Sequence, residues 1–167
     1  TILSTLPVQD AVRIRWSPND AVIAVLRNPG QDQARMMEFR NVQSGDLLYS
    51  FETYSYFDLP RWSPDGNFAA VRVVDENANA SVVVFDATNY RVRNVIEMDA
   101  TPDWGADSNL LILVANQAVS FWNMVNSTVV YSLEHAGIES VDVAADGKLL
   151  AIVGDDGTIQ LWGVSAN

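Results

Sequence analysis

A unit of three short strands recurs along the chain and constrains the fold more than any other feature of the sequence. Its clearest copy covers Ile138–Trp162, in which residues 138–143, 148–153 and 158–162 are β-rich runs separated by turns that contain Asp-Gly. Asp-Gly between β-rich runs is a strong hairpin signal, because both residues accept the backbone angles of tight turns. A three-stranded meander cannot bury both of its faces alone. The unit therefore has to stack on further copies of itself.

Three further copies precede this one. In the four copies together, the ends of the first strands align as Trp16, Trp62, Trp104 and Val143. The third strands align on Phe39, Phe85, Phe121 and Leu161. Repeats of roughly 40 to 45 residues, each with a fourth strand, are typical of propeller blades. We therefore predict an all-β protein, a single β-propeller domain over residues 1–167 with four four-stranded blades at approximately 9–52, 53–97, 98–133 and 134–167.

The two ends of the chain predict how the propeller closes. The fourth copy ends at Trp162-Gly163 without an outer strand, whereas Ile2–Leu6 is a strand without a blade. Unpaired strand edges favour aggregation, so we expect residues 2–6 to close the last blade. Two alternatives stay open: either two chains share one eight-bladed ring, or the chain is a fragment of a longer propeller.

The repeats resemble two known propeller families. The fourth copy resembles a WD repeat, with Glu134-His135 in place of Gly-His and Leu161-Trp162-Gly163 in place of the Trp-Asp ending. The second and third copies, at residues 61–66 and 102–107, are similar to the TolB-type repeat. Both resemblances imply a propeller that acts as a binding scaffold.

The resemblance to WD repeats also implies a structural role for three residues. His135, Asp156 and Trp162 match members of the family's hydrogen-bonded tetrad, and the hydroxyl position near residues 152–154 is not filled. At most a triad is therefore expected, in the fourth blade alone.

Composition excludes several classes of function. A net charge of −11 disfavours a nucleic-acid partner, because phosphate binding depends on Lys and Arg. The chain has no cysteine and one histidine, too few ligands for a zinc site, so we expect no metal and no cofactor. No apolar run reaches the length of about 18 residues that a membrane helix needs, and no retained signal peptide is recognisable. We expect a soluble protein, cytoplasmic or exported.

An aromatic loop is the predicted partner-binding site. Tyr54, Tyr56, Phe57 and Asp58 precede the first strand of the second copy and so lie at a propeller rim. Exposed aromatics beside a carboxylate are typical of protein-binding hot spots. Some of these rings have the alternative of packing beneath the loop.

A ring of charges is predicted at the axis. The residues immediately before the aligned first-strand positions are Arg15, Arg61, Asp103 and Asp142. Strand alternation places all four on the opposite face from the tryptophans. We expect Arg61 to face Asp103, and Asp142 to face Arg15 across the closing seam.

These observations favour a non-enzymatic scaffold for protein interaction or assembly, with a protein partner or a homodimer. His135 is the one histidine and no Gly-x-Ser-x-Gly elbow exposes a nucleophile. The alternative is a hydrolase that uses carboxylates at the rim.

Overall fold

Four antiparallel sheets make up the protein. The computed structural model describes residues 5–30, 33–54, 59–144 and 148–163, and the regular structure within them consists of β-strands. The first sheet holds β1 (Ala11–Trp16), β2 (Val22–Arg27), β3 (Arg35–Asn41) and β4 (Leu47–Thr53). The second holds β5 (Arg61–Trp62), β6 (Phe68–Val74), β7 (Ala80–Asp86) and β8 (Arg91–Ile96). The third holds β9 (Thr101–Trp104), β10 (Leu110–Ala115), β11 (Ala118–Asn123) and β12 (Thr128–Glu134), and the fourth holds β13 (Ile138–Val143), β14 (Leu149–Gly154) and β15 (Ile159–Gly163).

Each sheet is a meander of consecutive strands, and we call the four sheets blades 1 to 4. Blades 1 to 3 have four strands and blade 4 has three among the described residues. The all-β architecture of blade-like sheets is as predicted. No closed ring is formed by the described residues, so closure into four blades stays a prediction.

Most of the predicted closing strand, residues 2–6, lies outside the part of the chain that the structure describes, so its pairing with blade 4 stays a prediction. Residues 2–4 lie outside the described residues, and residues 5 and 6 are not in a strand. The Leu6 side chain instead lies against blade 1, with its Cδ2 atom 3.3 Å from the position of a Cβ built on Gly45. Gly45 stands in the β3–β4 turn with a φ of 78°, a conformation that favours glycine.

The register of the strands confirms one sequence alignment and corrects the other. In the first strands, the aligned positions pair with equivalent residues of the second strands: Trp16 with Ile23, Trp62 with Ala69, Trp104 with Leu111 and Val143 with Leu150. In the third strands, a bulge follows Phe39, Val84 and Phe121. Val84, not Phe85, is therefore the equivalent of Phe39. The aromatic character of Phe85 was misleading, because Phe85 faces the preceding blade.

Three apolar cores hold neighbouring blades together. The core between blades 1 and 2 is rich in rings: Phe39 meets Trp62 edge to face, with ring centroids 5.7 Å apart, and Phe85 at 5.6 Å. Trp104 and Val84 are buried in the core between blades 2 and 3. Ile112, Val119 and Ile152 lie in the core between blades 3 and 4.

Serine hydroxyls shape the turns after β1 and β5. Ser63 Oγ donates to Asp65 Oδ1 at 2.6 Å and accepts from the Phe68 amide at 2.9 Å. Ser17 makes the same two bonds, with Asn19 in place of the aspartate. The shared Ser-Pro-Asn/Asp sequence is therefore explained by turn chemistry.

Candidate functional site

A groove of about 620 Å³ lies between blades 3 and 4. We call it the blade 3–4 groove. Its lining residues come from both sheets and from the β9–β10 turn: Gly105, Ala106, Asp107, Leu110, Ile112, Phe121, Val130, Tyr131, Leu133, Val143, Lys148, Leu149, Leu150, Trp162 and Gly163. The groove lies at the opposite end of the sheets from the loop that precedes β5.

One repeat position distinguishes the groove from the other blade interfaces. Trp62 and Trp104 fill the corresponding space in front of blades 2 and 3, and the Trp104 indole Nε1 donates to the Arg61 carbonyl at 2.9 Å. Blade 4 has Val143 at the same position, and its side chain is much smaller than an indole. The volume that a tryptophan occupies elsewhere is thus left open between Val143 and Phe121.

The groove is apolar but not closed to solvent. Tyr131, Leu149 and Trp162 line it and are all exposed, although large apolar side chains are usually covered. Asp107 and Lys148 supply charges among the lining residues. An apolar groove with exposed rings and a few charges suits a side chain of another protein.

The predicted aromatic loop is described only at its first residue. Tyr54 is 39% exposed, and its backbone amide donates to the Val74 carbonyl at 2.8 Å. Tyr56, Phe57 and Asp58 lie outside the described residues. Partner binding by this loop therefore stays a prediction.

The four axial charges occupy the same face of their strands. Arg15, Arg61, Asp103 and Asp142 pair with Ala24, Ala70, Ile112 and Ala151. Among the described residues no ion pair joins Arg61 to Asp103 or Asp142 to Arg15, and the predicted facing of these charges stays a prediction. Burial and then repulsion by Arg61 lower the pKa of Arg15, and attraction by Asp103 opposes both.

Four arginines lie close together, and two of them are the axial residues Arg15 and Arg61. Arg13, Arg15, Arg61 and Arg72 line a depression of about 220 Å³ with Leu59, Thr101 and Pro102. Arg72 Nε also binds Asp99 Oδ1 at 2.6 Å. In a chain of net charge −11, this depression is a local concentration of positive charge.

The residues that match the WD-repeat tetrad are divided between two places. Near Gly154, Asp156 Oδ1 accepts from the Thr158 hydroxyl at 2.7 Å, and His135 Nδ1 lies 3.0 Å from the Ala136 carbonyl oxygen. Hydrogen bonds from the Thr158 hydroxyl and the Thr158 amide, together with the nearby His135, lower the pKa of Asp156. Trp162 pairs with Leu150 and lines the blade 3–4 groove. It follows Thr158 by four residues, which corresponds to about 13 Å at the rise per residue of a β-strand.

Sequence reasoning missed the hydroxyl of Thr158 and the groove itself. The Asp-x-Thr spacing was a usable signal, since Thr88 makes the same bond to Asp86 at 2.6 Å. A signal for the groove was also present, because Val143 is the one aligned first-strand position without a tryptophan.

Two further findings concern metals and membranes. Within the four described segments, no three His, Asp or Glu side chains converge as metal ligands. The same segments contain no helix that is long and apolar enough to cross a membrane.

One repeat and the overall fold are similar to those of known proteins. The sequence profile of the family described as WD domain, G-beta repeat, matches residues 127–163, which include β12 and blade 4. The C-terminal WD40 domain of Sif2 is similar with a TM-score of 0.69 and 18% identity, over 92% of this chain and 43% of that chain. Kuenenia stuttgartiensis hydrazine synthase is similar with a TM-score of 0.62 and 13% identity, over 92% of this chain and 58% of that chain. No curated protein matches the sequence.

These similarities define the class of fold. The chain has the blade architecture of WD40-type β-propellers, and the predicted resemblance to a WD repeat is confirmed for residues 127–163. The chain spans less than two thirds of either similar structure.

Proposed function

We propose that this chain is a non-enzymatic propeller scaffold that binds a protein partner in the blade 3–4 groove. The observation that supports this is the open apolar groove at the position where tryptophan fills the other two blade interfaces. A ring of the partner occupies the space beside Val143 that an indole of this chain occupies elsewhere. Burial of an aromatic side chain contributes up to about 4 kcal/mol before ordering costs.

The repeat family supports a scaffold over an enzyme. Proteins with WD repeats are generally non-catalytic and mediate protein interactions. Blade-to-blade packing makes the sheets a rigid support, and rigidity reduces the entropy lost on binding.

Filling the groove tests the proposal. The chain and its Val143→Trp variant are immobilised, and the proteins that each captures from source-cell extract are identified by mass spectrometry. We expect the variant to fold, to melt no lower than the wild type, and to lose the partner by at least tenfold in affinity. Val125→Ser is the matched control, because Val125 is exposed and does not line the groove. A partner that Val143→Trp retains at full affinity contradicts the proposal.

The aromatic loop is the second predicted contact and is tested in the same capture. Tyr56→Ser combined with Phe57→Ser is expected to leave folding intact and to weaken the partner by about 2 kcal/mol. Unchanged affinity removes Tyr54, Tyr56, Phe57 and Asp58 from the binding surface. Loss of folding assigns the two rings to the core.

A further inference from the structure

The back face of blade 4 has the pattern of an interior blade but is uncovered. We call the side of a blade toward the next blade its back face and the opposite side its front face. The third strands place two apolar residues on each back face: Met37 and Phe39, Val82 and Val84, Val119 and Phe121, Ile159 and Leu161. The first three pairs lie in or pack against the cores between blades. Phe39 is 0% exposed, whereas its equivalent Leu161 is 73% exposed.

The front face of blade 1 is uncovered at the matching place. Trp62 packs on Phe39 of the preceding blade, and Trp104 lies in one core with Val84 of the preceding blade. Trp16 occupies the equivalent position and is 48% exposed, with Val12 and Ile14 exposed beside it. The two end faces are thus the two halves of an ordinary blade interface.

The accessible surface of the chain shows how much area is uncovered. A compact monomer of 18.4 kDa exposes about 8,200 Å² by the scaling of surface with mass. This chain exposes 9925 Å². The excess of about 1,700 Å² is the size of a specific protein–protein interface.

Charges at the axis are also complementary across the two ends. Arg15 interacts electrostatically with Arg61, the equivalent residue of the next blade. Asp142 holds this position in blade 4, so a following blade 1 brings an arginine to an aspartate. The end-to-end contact therefore joins opposite charges.

We propose that a second copy of this chain covers both end faces in a head-to-tail arrangement. Trp16 of each copy packs on Leu161 of the partner subunit, as Trp62 packs on Phe39. Two identical seams then close a ring of eight blades. The length of the chain suits half of such a ring, because 92% of the chain aligns with only 43% of the WD40 domain of Sif2.

Mass measurement of the chain and three variants tests the proposal. Light scattering of residues 1–167 is expected to give twice 18.4 kDa. Trp16→Glu and Leu161→Glu each place a charge in both seams, so each is expected to give the mass of a monomer with unchanged circular dichroism. Val125→Glu is the control, since Val125 is as exposed as Leu161 but lies in the β11–β12 turn; this variant is expected to remain a dimer.

Mixing the two monomeric variants distinguishes the head-to-tail seam from other contacts. A mixed pair has one seam with both glutamates and one seam with neither, so the mixture is expected to regain a dimer that neither variant forms alone. A wild-type monomer overturns the proposal, whether the chain closes on itself or needs blades of another chain. A dimer that persists in either variant, or a mixture that stays monomeric, overturns it as well.

Discussion

The three equivalent tryptophans predict three different costs for the same substitution. Trp104 is buried and its indole donates to the Arg61 carbonyl, whereas the buried indole nitrogen of Trp62 has no hydrogen-bond partner among the described residues. Trp16 is half exposed. Replacing each with phenylalanine therefore removes a similar group from three different environments.

The magnitudes follow from area and hydrogen bonding. The smaller ring of phenylalanine removes roughly 40 Å² of apolar contact surface, which costs about 1 kcal/mol at the buried Trp104 and at most that at the partly buried Trp62. Trp104→Phe also leaves the Arg61 carbonyl without its donor, at about 1–2 kcal/mol, for a total loss of about 2–3 kcal/mol. Trp62→Phe removes an unpaired buried N–H, which offsets the lost area, so we expect a change of less than about 1 kcal/mol. In the monomer, where Trp16 is half exposed, Trp16→Phe should stay within about 0.5 kcal/mol.

Urea unfolding followed by far-ultraviolet circular dichroism measures these differences. The free energy of unfolding is obtained by linear extrapolation, at a protein concentration where the wild type and all three variants are monomeric. The decisive quantity is the gap of about 2 kcal/mol between Trp104→Phe and Trp62→Phe. Equal losses at the two sites would refute the assignment of the indole hydrogen bonds.

Two further predictions concern charged groups. Glu38→Gln should lower the free energy of unfolding by about 2 kcal/mol, because Glu38 is 3% exposed and binds two arginines. Asp99→Asn breaks an exposed ion pair and should cost less than about 1 kcal/mol in the same urea assay. Equal costs for the two variants would contradict this prediction. Partial burial raises the pKa of Asp65, but hydrogen bonds from Ser63, Asn67 and Ser108 outweigh it and lower the pKa to about 2. The carboxylate therefore stabilises the fold above pH of about 4, and this contribution, about 1 kcal/mol after solvent screening, is lost as the pH falls toward 2. Asp65→Asn, which copies Asn19 of blade 1, should remove that part of the pH dependence of melting, and an identical pH profile would count against it.

The blade architecture was predictable because each repeat has its own turn chemistry. Ser17 and Ser63 start turns of known type, and the distance between them gives the repeat length. The third-strand alignment failed at Phe85, because it matched the aromatic rings of Phe39 and Phe85, whereas the register pairs Phe85 with Ala69 and so places it on the opposite face from Val84.

The candidate site was less predictable, because it depends on contacts between blades. Val143 was only aligned with the three tryptophans, and the groove also needs Phe121 and Tyr131 to leave the space open, with positions that are set by stacking. The axial charges were assigned to the correct face of their strands, whereas their partners stay a prediction, because the sequence gives no distance between Arg61 and Asp103.

The ion cluster on blade 1 has a consequence for how this sequence can change over time. Glu38 binds Arg27 Nη1 at 2.6 Å and Arg40 Nε at 2.7 Å, on a face where blade 2 has Val83 and Phe85. Replacing Glu38 leaves two arginines without their carboxylate, and replacing either arginine leaves Glu38 with one partner instead of two, although an all-apolar set of similar volume is often as stable. Changing the cluster one residue at a time therefore produces intermediate sequences that fold less stably. We expect the cluster to persist in descendants of this sequence or to be replaced as a unit.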